Sequence, residues 1–355
     1  MRIAFIGDGS LGHVRRWAGY FHERGHEVLL ISFEDIEGCR FPAVRLRRKL
    51  PTKLLGYIAG LPAIKSRLER FSPDIVNALY VSGYGFTAAL CGYRPLVVSA
   101  LGSDMLVDYP SSPVHRMQIR RALLSADLIT TDADNLTEAV VAAGADRERV
   151  LKVFFGIEES IFHPPSAVRA GPAGRRIRVI STRNLYEIYN LRLLTDAAAM
   201  LPADADVSFT ICGDGPLRRP LEERVRRAGM EGRFEFTGKL APEAVAEKLR
   251  GSDIYVSTSL SDSTSVSLLE AMACGDIPVV TDIPANREWI EDGVNGYLVD
   301  TGSPEGLSSR ILEFAAGRMP VTRIIEANHR LIMEKGLWET NMGRLETAFS
   351  RLPGL

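Results

Sequence analysis

The sequence predicts two doubly wound α/β domains in tandem. Its 355 residues exceed one ordinary core and suit two of about 150 to 180 residues. Short apolar runs alternate with helical stretches, the pattern of right-handed βαβ units on a parallel sheet. A second series of the same kind follows a Pro- and Gly-containing stretch, 162–176, that has no apolar periodicity and reads as a linker.

Taken in order, the first series places strands at Ile3–Ile6, Val28–Ser32, Ile75–Ala78, Leu96–Ser99 and Leu128–Thr131, with a helix over Val14–Glu23. The second places strands at Ile177–Ser181, Val207–Cys212, Phe234–Thr237, Ile254–Thr258, Pro278–Thr281 and Gly296–Val299. The expected domains are therefore 1–165 and 166–335. The segment 331–351, with Trp338, reads as helical. Residues 336–355 are set apart as a C-terminal helix that either completes the second domain or packs back on the first.

Composition narrows the class. A hydrophobic share of 46% with 25% charged residues suits a soluble globular chain. Lys and Arg number 43 against 44 Asp and Glu, a net charge of −1, so no nucleic-acid partner is expected. Between Arg40 and Arg70, however, nine basic residues face one acid, Glu69. With its interleaved leucines, Tyr57 and Ile58, this 40–70 region has the composition of a peripheral contact with an anionic membrane; a solvated helical face is the competing reading. Cys39, Cys91, Cys212 and Cys274 lie far apart without metal-ligand spacing, as free thiols in a reducing cytosol would. Six histidines form no HxxxH pair, and no metal site is expected. The start MRIAFIGDGS reads as strand and turn, and no run reaches the roughly 18 apolar residues of a membrane span. The expected location is cytoplasmic; oligomeric state is unspecified.

The segment Ser259–Pro278, SLSDSTSVSLLEAMACGDIP, carries the most chemistry. A polar loop rich in cap formers precedes an apolar helix, Val266–Cys274, that begins near Ser265 and ends at Gly275. A helix start offers unpaired N–H groups and a positive dipole end, which suit phosphate. Asp262 before the helix and Glu270 one turn inside it are carboxylates able to accept from sugar hydroxyls. The plainer reading is an ordinary capped surface helix with a solvated Glu270.

Gly7-Asp8-Gly9-Ser10-Leu11-Gly12 follows a strand and opens a helix, with Glu34 and Asp35 after the next strand, so an NAD-dependent oxidoreductase is a rival reading. Under either reading Gly12 lets the backbone approach a phosphate. The second domain repeats a nucleotide-site pattern, Gly213-Asp214-Gly215-Pro216 after a strand. Two such halves suit a donor in one and an acceptor in the other, facing a central cleft.

These residues resemble glycosyltransferase family 4, retaining enzymes with the two-domain GT-B fold. The family signature of an acid, seven residues, then Glu-Ala-Met-Ala-x-Gly-x-Pro-Val-Val is matched by Asp262 and Glu270-Ala-Met-Ala-Cys-Gly-Asp-Ile-Pro-Val-Val, followed by Asn295-Gly296-Tyr297-Leu298-Val299. Gly25-His26-Glu27-Val28, Gly102-Ser103-Asp104, Phe155-Gly156-Ile157 through Phe162-His163-Pro164, Gly213-Asp214-Gly215-Pro216 and Phe236-Thr237-Gly238 match further family segments in order.

The resemblance implies a hexosyl- or N-acetylhexosaminyl-transferase that moves a sugar from a nucleotide-diphosphate sugar to a hydroxyl acceptor, with no metal and no cofactor besides the donor. It implies that Glu270 holds the ribose, Asp262 the transferred sugar, and the N–H groups of Ser265 and Val266 the sugar or diphosphate. Arg183 would neutralise the diphosphate. Gly12, Tyr189 and Gly213 join the donor-binding set; Asp104 joins Arg183, Asp262 and Glu270 as catalytic; His13, Asp104 and Asn286 are acceptor or sugar contacts. Trp289 is expected to pack rather than stack on substrate.

Three departures stand out. Asp262 is shorter than the usual Glu, the usual Lys after Arg183 falls near Tyr189-Asn190, and the usual His is Leu101, leaving His13 or Asp104 to take part of its role. A nucleotide-sugar-binding protein with weak or no transfer is therefore the first alternative, and the oxidoreductase the second.

Overall fold

A computed structural model describes residues 1–47, 53–165, 171–172 and 174–352. Arg48, Lys49 and part of the expected linker lie outside these residues. The chain divides into two compact units, Met1–Phe154 with the chain from Met342 onward, and Phe155–Asn341.

The first unit is built on β1 (Arg2–Ile6), β2 (Glu27–Ser32), β3 (Ala43–Arg45), β4 (Ile75–Leu79), β5 (Leu96–Ser99), β6 (Leu128–Thr131) and β7 (Val150–Lys152). They pair in parallel in the order β3-β2-β1-β4-β5-β6-β7. The second unit carries β8 (Ile177–Ser181), β9 (Val207–Cys212), β10 (Phe234–Gly238), β11 (Ile254–Ser257), β12 (Ile277–Thr281) and β13 (Tyr297–Val299). These are parallel too, in the order β10-β9-β8-β11-β12-β13. Central strands such as β4 and β12 are buried throughout, which is why they read as unbroken apolar runs. Strand order reverses between β1 and β4 and again between β8 and β11, the crevices where doubly wound sheets bind ligands.

Three expectations change. The edge strands β3 and β7 were not expected: three residues with partly buried faces leave no alternation to read. The segment expected to be helical over 331–351 is divided between two helices, Val321–Lys335, which starts earlier than expected, and Trp338–Phe349. Between them Ile157 N–H donates to Gly336 O and Trp338 N–H donates to Ile157 O. A Cβ on Gly156 would lie 2.7 Å from the Leu337 carbonyl carbon, so only glycine lets these segments meet. That pairing also sets the unit boundary at Phe154/Phe155 rather than 165/166, because residues 155–162 bond to the second unit, with Arg250 donating to Ile161 O at 3.0 Å.

The last turns of Trp338–Phe349 pack on the first unit. Phe349 stacks on Phe21 with ring centroids 5.1 Å apart. The Glu346 carboxylate accepts from Arg24 Nε at 3.1 Å and Tyr20 Oη at 3.3 Å, and lies 2.8 Å from His26 Nε2. In the basic region, the helix Lys53–Phe71 buries Tyr57, Ile64 and Leu68 and leaves Lys65 and Arg70 exposed. Among the described residues no helix is long and apolar enough to cross a membrane.

Candidate functional site

In the second unit, β8 ends at the switch point and its continuation, Thr182 and Arg183, crosses to the loop before the helix Val266–Cys274. Ser265 caps that helix, its hydroxyl accepting from Leu268 N–H, and Gly275 ends it, both as the residue pattern predicts. The first-turn N–H groups remain outside the helix's own ladder.

Arg183 is only 7% exposed. Its Nη1 donates to the hydroxyls of Ser265 at 2.7 Å and Ser267 at 3.0 Å, its Nη2 donates to Asp262 Oδ2 at 2.6 Å, and its guanidinium lies 4.1 Å from the Tyr189 ring centroid. The expected cation and the expected sugar-binding carboxylate are thus bonded to each other. Burial raises the Asp262 carboxyl above its ordinary value, and the Arg183 charge opposes that shift. Ser181 Oγ, Thr182 Oγ1 and Arg183 Nε are buried atoms without a hydrogen-bond partner. They form a row of buried polar atoms where the strand meets the switch point. Glu270 is half-buried on the same helix.

Gly213 supports this loop from beneath. With φ of 149°, it brings its backbone so close that a Cβ would lie 2.6 Å from Arg183 O. Leu185 N–H donates to Asp214 O and Leu217 N–H to Leu185 O, clamping the loop that carries Arg183. The glycine is explained by that chain crossing without any ligand. Tyr189 is anchored through its carbonyl, which accepts from Thr258 Oγ1 at 2.8 Å.

Asn286 is a correction. It is 1% exposed and its amide donates to Thr281 O at 2.7 Å, so it pins a turn instead of presenting itself to a sugar. Trp289 packs as expected, buried, with Nε1 donating to Thr264 Oγ1 at 3.3 Å and Lys335 over its ring.

Asp104, in the first unit, is a second correction. It is 0% exposed, and its carboxylate accepts from the N–H groups of Val81 at 2.8 Å, Met105 at 3.0 Å and Leu101 at 3.2 Å. Those bonds tie the ends of β4 and β5 together and leave it unable to touch a substrate; it positions the chain. Burial pushes its carboxyl up to about 6, the three N–H groups pulling the other way. Gly12 and His13 are exposed at the start of the helix Gly12–Glu23, and the space a Gly12 Cβ would enter is open.

Comparison with known proteins decides the family. Residues 168–331 match the model "Glycosyl transferases group 1", and residues 2–133 match "Glycosyl transferase 4-like". The chain belongs to the GT-B glycosyltransferase superfamily. It is 25% identical over 254 residues to the N-acetyl-alpha-D-glucosaminyl L-malate synthase of Bacillus anthracis, spanning 69% of this chain and 66% of that relative. Against the D-inositol 3-phosphate glycosyltransferase of Geodermatophilus obscurus it is 24% identical over 328 residues, 86% of this chain and 72% of the relative. The fold matches Anabaena HepE in complex with UDP-glucose at a TM-score of 0.82 and 20% identity, covering 99% of this chain and 100% of that one.

As a GT-B glycosyltransferase, the chain has no need of a dinucleotide reading at Gly7–Gly12. A Cβ on Gly9 would lie 2.6 Å from Ile36 Cγ1, so packing accounts for that residue. Sequence reasoning missed Ser267 and Ser181 beside Arg183, and in the first unit it passed over Tyr80 and Ser82, whose hydroxyls both donate to Asp108 Oδ2 at 3.0 Å. The signal for the latter was available: Tyr80-Val-Ser-Gly-Tyr-Gly follows β4 at the switch point.

Proposed function

We propose that this protein is a retaining, metal-independent glycosyltransferase that moves a hexosyl or N-acetylhexosaminyl group from a nucleotide-diphosphate sugar to a hydroxyl acceptor. The observation that carries it is the Arg183–Asp262 pair, set beside the capped helix start at Ser265 and held by Tyr189.

The donor diphosphate lies over the N–H groups of Ser265 and Val266, where the helix dipole favours an anion. Arg183 turns from Asp262 to the phosphates. Asp262, so released, accepts from a hydroxyl of the transferred sugar, while Glu270 accepts from the ribose diol. The bond from the anomeric carbon to the phosphate oxygen breaks, and Arg183 with the helix start stabilises the charge that develops on the leaving nucleoside diphosphate. The acceptor oxygen bonds to the same face, its proton passing to the departing phosphate oxygen. No side chain of this protein forms a covalent intermediate.

Purified protein is given UDP-, GDP- and ADP-sugars with a panel of glycosides, in EDTA, and both nucleoside diphosphate release and product anomeric configuration are read by NMR. Release with an α product from an α donor is expected. A β product overturns retention, and loss of activity in EDTA overturns metal independence. Leu101 in place of the family histidine favours a second reading, donor binding without transfer. Binding with neither transfer nor hydrolysis would establish that reading.

A further inference from the structure

The first unit holds a cavity of about 510 Å³ at the C-terminal end of β4, beside the switch point of the sheet. Three tyrosines line it, Tyr57, Tyr80 and Tyr84, with three carboxylates, Asp8, Glu34 and Asp108. Among the described residues no Lys or Arg does; the basic side chain in the lining is His115, whose Nδ1 lies 2.9 Å from Ser111 Oγ. Gly12, His13 and Asp104, expected on the acceptor side, are not part of this lining.

The chain departs from regular helix and strand geometry around this cavity. Tyr80, the first residue after β4, has φ of 90°, a conformation that side-chain-bearing residues rarely adopt and that clusters at functional sites. It leads into a π-helical turn, Val81–Gly85, and a second such turn, Asp104–Asp108, ends at the cavity's own carboxylate. The distortion brings Tyr80 Oη and Ser82 Oγ each to 3.0 Å from the same oxygen, Asp108 Oδ2, with Ser103 Oγ 3.1 Å from Tyr80 Oη. The second oxygen of Asp108 keeps its acceptor capacity.

We propose that this cavity binds the acceptor and that the acceptor is an uncharged sugar ring, with hydroxyls held by Tyr80, Ser82 and Asp108 and its apolar face against the tyrosine walls. Carboxylates accept from hydroxyls and repel anions, so hydroxy acids and sugar phosphates are turned away. The assignment rests on the transferase reading for the word acceptor, and on the first unit alone for the ligand class.

Binding is measured by saturation-transfer NMR with methyl glucoside, galactoside and mannoside, set against the corresponding hexose 6-phosphates and glucuronate. The same samples are titrated with UDP. At least one neutral glycoside should bind about tenfold or more tighter than every anion, a difference of about 1.4 kcal/mol. Asp108→Asn should weaken that glycoside severalfold and narrow the gap to the anions, and Tyr80→Phe, which keeps the ring and the packing, should weaken it without narrowing the gap. Tighter binding of an anion, no binding of any neutral glycoside, or indifference to both substitutions overturns the assignment. UDP binding without glycoside binding removes this inference and spares the transferase; glycoside binding without binding of any nucleoside diphosphate does the reverse.

Discussion

Arg183 and Asp262 neutralise each other across 2.6 Å, so the two charges assigned to opposite parts of the donor are partners in this structure. In the proposed reaction a donor exchanges that bond for two others, one from each residue. On that proposal the pair is a latch whose opening is coupled to ligand chemistry.

Asp262→Asn separates the two halves of that exchange. Losing the carboxylate frees Arg183 for phosphate, so UDP, which carries no transferred sugar, should bind up to about tenfold tighter. Transfer should fall by about 10² or more, because the sugar hydroxyl loses its charged acceptor. Calorimetry with UDP and a turnover assay check the two effects. Weaker UDP binding in the variant would contradict the latch.

Tyr189 stands near the position of the family's second cation and cannot supply charge, but its ring holds Arg183 at 4.1 Å. Tyr189→Leu should cost about 1–2 kcal/mol of UDP binding, the scale of a desolvated cation–π contact. Tyr189→Phe should be near wild type. If the Phe variant loses as much as the Leu variant, the hydroxyl rather than the ring is what matters.

Asp104 should behave as a structural anchor. Asp104→Asn sets an amide NH2 against backbone N–H groups and should cost about 1–3 kcal/mol of stability, while UDP binding is retained once the variant is folded. The wild-type carboxyl is raised from 3.8 to about 6, so the folded state holds the extra proton. Its contribution is present at low pH and is lost as pH rises through about 6. A thermal-melt series from pH 4 to 7 on both proteins should show this slope in the wild type alone.

Glu346 has the opposite sign. Burial alone would raise its carboxyl, but the His26 bond and the Arg24 charge outweigh burial and hold it below its ordinary value. The stabilisation it provides is present above pH 4.5 and disappears as pH falls through the lowered value. Amide exchange in Trp338–Phe349 should accelerate over that acid range, and in Glu346→Gln it should already be faster at neutral pH. Equal exchange in the two proteins would show that Phe21–Phe349 stacking holds the helix unaided.

What the sequence could convey follows from how local each feature is. The central strands and the Ser265 helix start were legible because buried parallel strands and capped helices write their signals into consecutive residues. The edge strands β3 and β7 are too short for such a signal. The Arg183–Asp262 bond joins residues 79 apart, and nothing in a single sequence links them. Asp104 and Asn286 were read as contacts since their residue types suit polyols; burial, which composition cannot show, makes both of them internal braces. Tyr80 could be placed at the end of a legible strand, but its positive φ has no compositional mark.

The central claim is that the second unit holds a nucleoside diphosphate between Arg183, the Ser265 helix start and Glu270. Its most direct test is thermal stabilisation by UDP, GDP, ADP, TDP and NAD, on wild type and on Glu270→Ala. One nucleoside diphosphate should stabilise the wild type by about 2.7 kcal/mol at a hundredfold excess over its Kd, and the shift should vanish in Glu270→Ala. A shift with NAD alone, or a nucleoside diphosphate shift that survives Glu270→Ala undiminished, would contradict the account.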